Sequence, residues 1–316
     1  MSDTAQRAVG TLGEPPPRPA TARGPGAQLR QALAFAGRQR ELTVLVVVVL
    51  LVVYFGFISN IGRSSFFTSV NIINLSQYAA PIIIIAIGET LLLVCGEIDL
   101  SPGFVYSFAP FLMYFLVVDD GFPVILAIFV TLLMGLVTGW VNGLLTVTLG
   151  LPSFIATLGT GFVLLGITLT TSNATQASIP PAAVGIGKWI GSYSYSEIIW
   201  AVVLVVIFHV IFTRTRWGLY TIAVGGNLLG AREAGINVAR IKYGNFMITG
   251  VLGAFVGLQI AFQTSVIDPS AGGYTPMFLA VAAAVIGGTA MLGGSGTMIG
   301  AFLGSVMLTV LNIGFS

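Results

Sequence analysis

The sequence predicts an all-α, polytopic membrane protein: a single bundle of helices crossing a lipid bilayer. Three observations predict it. Of 316 residues, 56% are hydrophobic and only 8% are charged, whereas a soluble domain carries roughly 25% charge. The apolar runs are continuous, with no Asp, Glu, Lys or Arg between Gly121 and Gly187; strands of a membrane barrel would alternate polar and apolar residues over about ten positions. Of the 13 basic residues all but Arg63 and Lys188 gather in two groups, one before the first apolar run and one in a later loop, the pattern of a chain oriented by cytoplasmic positive charge.

Residues 1–41 are rich in Pro, Gly, Ala and Arg and are expected to form a flexible cytoplasmic tail, because they lack apolar surface to bury. The first apolar run starts only at Leu42, too late for a cleaved signal peptide and long enough to span. Residues 42–316 are expected to form one transmembrane domain. An α-helix needs about 20 apolar residues to cross the hydrocarbon core, and nine spans are read at about 42–60, 72–95, 103–118, 123–149, 153–172, 198–213, 244–263, 277–292 and 298–315. Arg7, Arg18, Arg23, Arg30, Arg38 and Arg40 precede the first; Arg214, Arg216, Arg232, Arg240 and Lys242 share the loop 214–243. Both groups belong inside, so an even number of spans separates them, and six fit. Loop 173–197 then falls outside. Nine is odd and the chain stops at the end of an apolar run, so a tenth span beyond Ser316 is expected.

Glycines add an internal pattern. Gly135, Gly139 and Gly143 in the fourth span and Gly296, Gly300 and Gly304 in the ninth stand at four-residue spacing, which puts each set on one helix face and lets a neighbouring backbone approach closely. Both helices are expected near the centre. Each follows an interrupted apolar segment, Gly96 to Gly103 in one half and Gly293 to Gly296 in the other, and an offset of five spans reverses direction through the membrane. Inverted repeats with broken helices along the substrate route are therefore expected.

The first interruption carries the most chemistry. Gly96 can end one helix in the left-handed conformation, Asp99 or Ser101 can cap the next, and Pro102 suits its first turn. Capping alone does not explain Glu89, Glu97 and Asp99 so close together, since a carboxylate at the bilayer centre costs roughly 2.5–3.5 kcal/mol. Glu97, Asp99, Ser101, Asn142, Thr289 and Ser295 are the candidate residues of a substrate pathway. In the basic loop, Asn227 can cap a short helix through Arg232, Glu233 and Ala234, Gly235 can end it, and Ile236 and Asn237 lead into the seventh span.

Four stretches in order carry a resemblance: GETLLLVCGEIDLSPG, GLVTGWVNGLLTVTLGLPSFIATLGT, RTRWGLYTIAVGGNLLGAREAGINVARIKYGNFMITGVLGAFVGL and AVAAAVIGGTAMLGGSGTMIGAFLGSVMLTVLNIGF. From about Asn71 to Ser316 the chain resembles the membrane subunit of bacterial ATP-binding-cassette importers for monosaccharides, of the ribose, xylose, arabinose and galactose type. It departs at Pro102, where such proteins usually have Val, and at Glu97, where Gly is commonest. The resemblance implies a ten-span permease of the cytoplasmic membrane with both ends inside. It would pair with a second copy or close homologue, dock two cytoplasmic ATPase subunits through Asn227, Arg232, Glu233, Ala234, Gly235 and Ile236, and receive sugar from a periplasmic or lipid-anchored binding protein. ATP and Mg would be bound by the ATPase subunits, since this chain has no phosphate-binding Gly-x-x-x-x-Gly-Lys-Ser/Thr. Lipid surrounds the domain, and no nucleic-acid partner is expected.

With one cysteine, Cys95, and one histidine, His209, far apart, a histidine and cysteine metal cluster is excluded. Two rival classes remain open. An intramembrane protease would use Ser295 with His209 as its base; a proton-driven carrier would use Glu89, Glu97 or Asp99. Within the importer class, nucleosides and branched-chain amino acids are the alternative cargoes.

Overall fold

The structure, a computed structural model, describes residues 40–59 and 66–315. The expected tail lies outside the described residues apart from its last two, and so does Arg63. Helix α1 (Arg40–Val53) runs into a π turn (Tyr54–Ile58), and then follow α2 (Ser69–Val94), α3 (Pro102–Val118), α4 (Val124–Gly143) and α5 (Ser153–Thr171). A connection containing β1 (Ala177–Ser178) and the single turn α6 (Val184–Gly187) leads to α7 (Ser196–Arg214). Helices α8 (Arg216–Gly226) and α9 (Leu228–Glu233) precede α10 (Val238–Thr264), β2 (Val266–Ile267), α11 (Tyr274–Ile286) and α12 (Met298–Gly314).

Two helices form the interior. From Ala79 to Val94, α2 reads AAPIIIIAIGETLLLV, apolar nearly all round, and all of it is buried except the half-buried Pro81. A helix without a polar face is either enclosed by others or set in lipid, and the burial of α2 makes it the enclosed kind. Helix α10 is its counterpart, packed against α2, α3 and most extensively α4. Helices α11, α12 and α7 close the other sides of α2.

Among the described residues six helices are long and apolar enough to cross a membrane: Glu41–Ile58, Ser69–Val94, Val124–Thr148, Ser153–Thr171, Ser196–Arg214 and Val238–Thr264. The other three expected spans fall on the apolar helices α3, α11 and α12, of 17, 13 and 17 residues. At 1.5 Å per residue these reach about 20–26 Å, short of a hydrocarbon core of about 30 Å. Each adjoins an interruption: α3 starts after the first, α11 ends at the second, and α12 starts after it.

The segment 214–243 is a helical bracket, α8 and α9, with the short helix expected after Asn227, and α10 begins at Val238 directly after Asn237. Two other sequence expectations need correction. The glycine helix α4 is peripheral within this chain; only its glycine face is turned in, and the centre belongs to α2 and α10. Finally, the first interruption precedes α3 rather than the glycine helix α4, and the two interruptions touch, the Gly294 amide donating to the Val94 carbonyl at 2.8 Å.

At the other end of α10, β2 pairs antiparallel with β1, Ala177 opposite Ile267. This joins the segment after α10 to the 173–197 connection, far along α10 from Lys242.

Candidate functional site

In the first interruption four consecutive backbone amides leave the helical pattern, and each finds a side chain. Ile98 donates to Ser153 Oγ at 3.2 Å, Asp99 to Glu89 Oε2 at 3.5 Å, Leu100 to Thr157 Oγ1 at 3.0 Å and Ser101 to Asp99 Oδ1 at 2.8 Å. Without water, an unpaired amide here would cost several kcal/mol, which is why hydroxyls on α5 and a carboxylate on α2 lie where they do. Gly96, at φ +80°, turns the chain out of α2, and Pro102 opens α3. Asn142 completes the knot: its amide donates to both Asp99 oxygens, at 3.2 and 3.1 Å, and to Ser101 Oγ at 2.8 Å, while its own oxygen accepts from Thr160 at 2.6 Å. Asp99, Ser101 and Asn142 are wholly buried.

The second interruption is held by backbone. Ala290 donates to the Ser295 carbonyl at 2.8 Å, and Thr297 Oγ1 caps α12 by accepting from Gly300 at 2.9 Å. Thr289 is buried, with its hydroxyl unpartnered, and Ser295 is exposed. No hydrogen bond joins Ser295 to His209, whose Nδ1 has none at all, so the geometry gives no protease dyad.

The bracket α8–α9 meets both interruptions. A Cβ on Gly225 of α8 would overlap the Val94 carbonyl and stand 2.8 Å from the Gly294 nitrogen. Glu97 forms an ion pair with Lys242 in the first turns of α10. Asn227 caps α9 by accepting from Gly230 at 2.9 Å, and Asn237 caps α10 by accepting from Arg240 at 2.9 Å. Between them Gly235 (φ +79°) and Ile236 donate to the carbonyls of Arg232 and Ala231, a Schellman closure. Arg232, Glu233 and Ala234 are exposed on this bracket.

The glycine faces are close approaches. A Cβ on Gly139 would overlap the Phe246 carbonyl, one on Gly135 the Gly250 carbonyl, and one on Gly143 would stand 2.7 Å from the Tyr243 ring, all on α10. In α12, Gly300 and Gly304 lie against the Gly287 and Ala283 carbonyls, and just before it Gly296 faces Val94 and Thr289.

A cavity of about 660 Å³ opens elsewhere, at the β1–β2 end, between α2, α3, α10, α11, α12 and the loop 268–273. Its polar lining is Asn74, Gln77, Gln263, Ser270 and Thr275, with the rings of Tyr78 and Tyr106. A second cavity of about 270 Å³ shares Tyr106 and contains Gln176 and Asp268. The Ser270 hydroxyl and amide hold the Asp268 carboxyl below its ordinary range, and Gln176 donates to it at 2.7 Å. None of the six candidate pathway residues lines either cavity. From Asn74 to Val94 along α2 is about 30 Å, so cavity and interruptions occupy opposite ends of the bundle. The sequence carries a signal for the cavity in Asn74 and Gln77, amides at three-residue spacing and hence on one helix face.

An apolar bundle with interrupted helices gathered on a basic bracket, and a polar recess at the far end, is the architecture of a membrane permease. The chain belongs to the family described as branched-chain amino acid transport system / permease component, which matches residues 71–316. It is 34% identical over 288 residues to the xylose/arabinose import permease protein XylH of Sulfolobus acidocaldarius, covering 88% of this chain and 78% of that one. It is 33% identical over 282 residues to the autoinducer 2 import system permease protein LsrC of Escherichia coli K12 / DH10B, covering 89% and 80%. The LsrC protein of Photorhabdus luminescens is 32% identical over 280 residues, covering 87% and 82%. No solved structure matches the chain. It is an integral membrane protein of a transport family, and among the described residues no group of three or more His, Cys, Asp or Glu could hold a metal ion.

Proposed function

We propose that this chain is the membrane subunit of an ATP-binding-cassette importer that carries a monosaccharide, pentose or hexose, into the cell. The observation that carries the reading is the similarity along 88% of the chain to a xylose/arabinose import permease. The cavity supports it with matching chemistry: amides and hydroxyls to exchange hydrogen bonds with sugar hydroxyls, and tyrosine rings to cover apolar sugar faces. Sugar enters at this outer cavity from a periplasmic or lipid-anchored binding protein. The Asp99–Asn142–Ser101 knot and the second interruption form the closed inner gate, with Thr289 and Ser295 beside it.

The chain crosses the membrane nine times, three of the spans being short and adjoining the interruptions, and its basic residues keep the N-terminus and the bracket in the cytoplasm. Any inverted relation between halves rests on the glycine helices α4 and α12 alone. The chain pairs with a second copy or close homologue. Two ATPase subunits, which hold ATP and Mg, dock on α9 and its flanks, from Asn227 to Ile236. Leu229 and Leu292, exposed at this end, give that dock an apolar component.

The test of the substrate is to isolate the binding protein that associates with this chain and to measure its melting temperature with candidate ligands, since a ligand stabilises the folded state it binds. A rise with one pentose or hexose is expected. A rise only with a nucleoside or a branched-chain amino acid would replace sugar with that cargo.

A further inference from the structure

We propose that a recess between α4, α8 and α10, at the bracket end of the bundle, binds an anionic phospholipid through its phosphate headgroup. The recess is about 410 Å³ and is lined by Trp140 of α4, Trp217 of α8, and Arg240, Tyr243, Gly244 and Met247 of α10.

The order of these residues along α10 is that of a lipid. Arg240 lies on the first turn, Tyr243 and Gly244 one turn further, and Met247 one turn beyond that, each turn about 5.4 Å deeper into the bundle. A cation therefore stands at the rim, aromatic rings line the middle, and a thioether forms the floor, matching headgroup, glycerol region and acyl chain. The rings are fixed as walls. The Trp217 indole N–H donates to Asn245 Oδ1 at 2.9 Å, the Tyr243 hydroxyl is 2.8 Å from Thr148 Oγ1, and Gly244 leaves room for the Trp217 ring, which a Cβ would overlap. With its indole N–H committed, Trp217 offers the recess its hydrocarbon ring, and aromatic residues of this kind favour the headgroup level of a bilayer.

The rim lacks its counter-charge. The Arg240 backbone amide is taken by the Asn237 cap, but no carboxylate among the described residues pairs with its guanidinium, and the side chain is exposed. Arg214 and Arg216, exposed at the α7–α8 junction, add to the positive field at the same end. A planar guanidinium above an apolar, aromatic-walled slot suits a phosphodiester attached to hydrocarbon. The lining has no side-chain amide or hydroxyl acceptor besides the committed Tyr243, which distinguishes it from the polar outer cavity.

Tryptophan fluorescence reads this site directly. The chain has four tryptophans, and Trp189 and Trp200 lie together at the opposite end, the Trp200 indole donating to the Trp189 carbonyl. In the full chain carrying Trp189→Phe and Trp200→Phe, solubilised in detergent, emission comes from Trp140 and Trp217. Brominated phosphatidylglycerol should half-quench it at a concentration about tenfold lower than brominated phosphatidylcholine. Arg240→Gln should remove that preference, Arg240→Lys should keep part of it, and inorganic phosphate should not displace the lipid. Equal quenching by both lipids, or none by either because another subunit or copy occupies the recess, would overturn the proposal without need of a variant. A preference that survives Arg240→Gln, or one abolished by inorganic phosphate at the lipid's concentration, would overturn it equally.

Discussion

Asp99 is enclosed, and what meets its carboxylate are hydrogen-bond donors: the Ser101 amide and the side-chain amide of Asn142. Asn142→Leu would take the side-chain amide from the buried Asp99 carboxylate, while Thr160 could still donate to the Thr157 carbonyl at 3.1 Å, so a loss of about 1–3 kcal/mol in stability is expected, read as a lowered melting temperature in detergent; an unchanged melting curve would contradict the knot. Asp99→Asn should impair uptake more than Glu89→Gln. An asparagine at 99 can keep the Ser101 bond, but its own amide hydrogens would then face those of Asn142. A glutamine at 89 still offers the oxygen that accepts from the Asp99 amide, and Glu89 Oε1 has no partner to lose. Glycine, proline and carboxylates standing in an apolar chain made the interruption legible. The residues that satisfy it, Ser153, Thr157, Asn142 and Thr160, were not legible as a set, because they lie some 40 to 60 positions away on two other helices. Asn74 and Gln77 of the cavity were visible yet passed over, since attention to charged residues misses neutral amides that are polar without charge.

The elements act through two kinds of contact, an ion pair and backbone against backbone. Glu97 and Lys242 tie the first interruption to the start of α10. If the tie transmits motion, Glu97→Lys or Lys242→Glu alone should reduce sugar-stimulated ATP hydrolysis at least severalfold, and the charge-exchanged double variant should recover much of it. Double-variant activity no better than the singles would mean that each residue serves something other than the pair. Gly139→Leu and Gly300→Leu should abolish uptake at matched expression, because a side chain there overlaps the Phe246 and Gly287 carbonyls and must push α4 from α10, or α12 from α11. Normal transport in Gly139→Leu would show that α4 and α10 need not pack so closely. The spacing of these glycines revealed a contact face from sequence, though not its partner: α4 meets α10, distant in the chain, whereas α12 meets its neighbour α11. The caps of the bracket were legible because Asn and Gly act on amides within a few residues of themselves.

For the whole molecule, charge and hydropathy prescribe an orientation that the bundle's two ends accommodate. The bracket holding Arg214 to Lys242 gathers with both interruptions, and the 173–197 connection pairs with the segment after α10 at the opposite end. A reporter fused after Lys242 should be cytoplasmic and one near Gln176 external; an external reporter at Lys242 would overturn the orientation. Local rules reached the helices and their order. They did not reach the cavity at the β1–β2 end, which is assembled from five helices and a loop, or the meeting of the two interruptions, which follows from how non-adjacent helices pack.

Importer and proton-driven carrier place the same buried carboxylates in different roles, and energy source separates them. The deciding measurement is uptake of labelled sugar by membrane vesicles holding the complete assembly, its ATPase subunits supplied with ATP, under two treatments: collapse of the proton gradient, and removal of ATP with the gradient intact. Uptake that survives the first and is lost in the second is the predicted result; uptake that fails with the gradient and persists without ATP would contradict the importer.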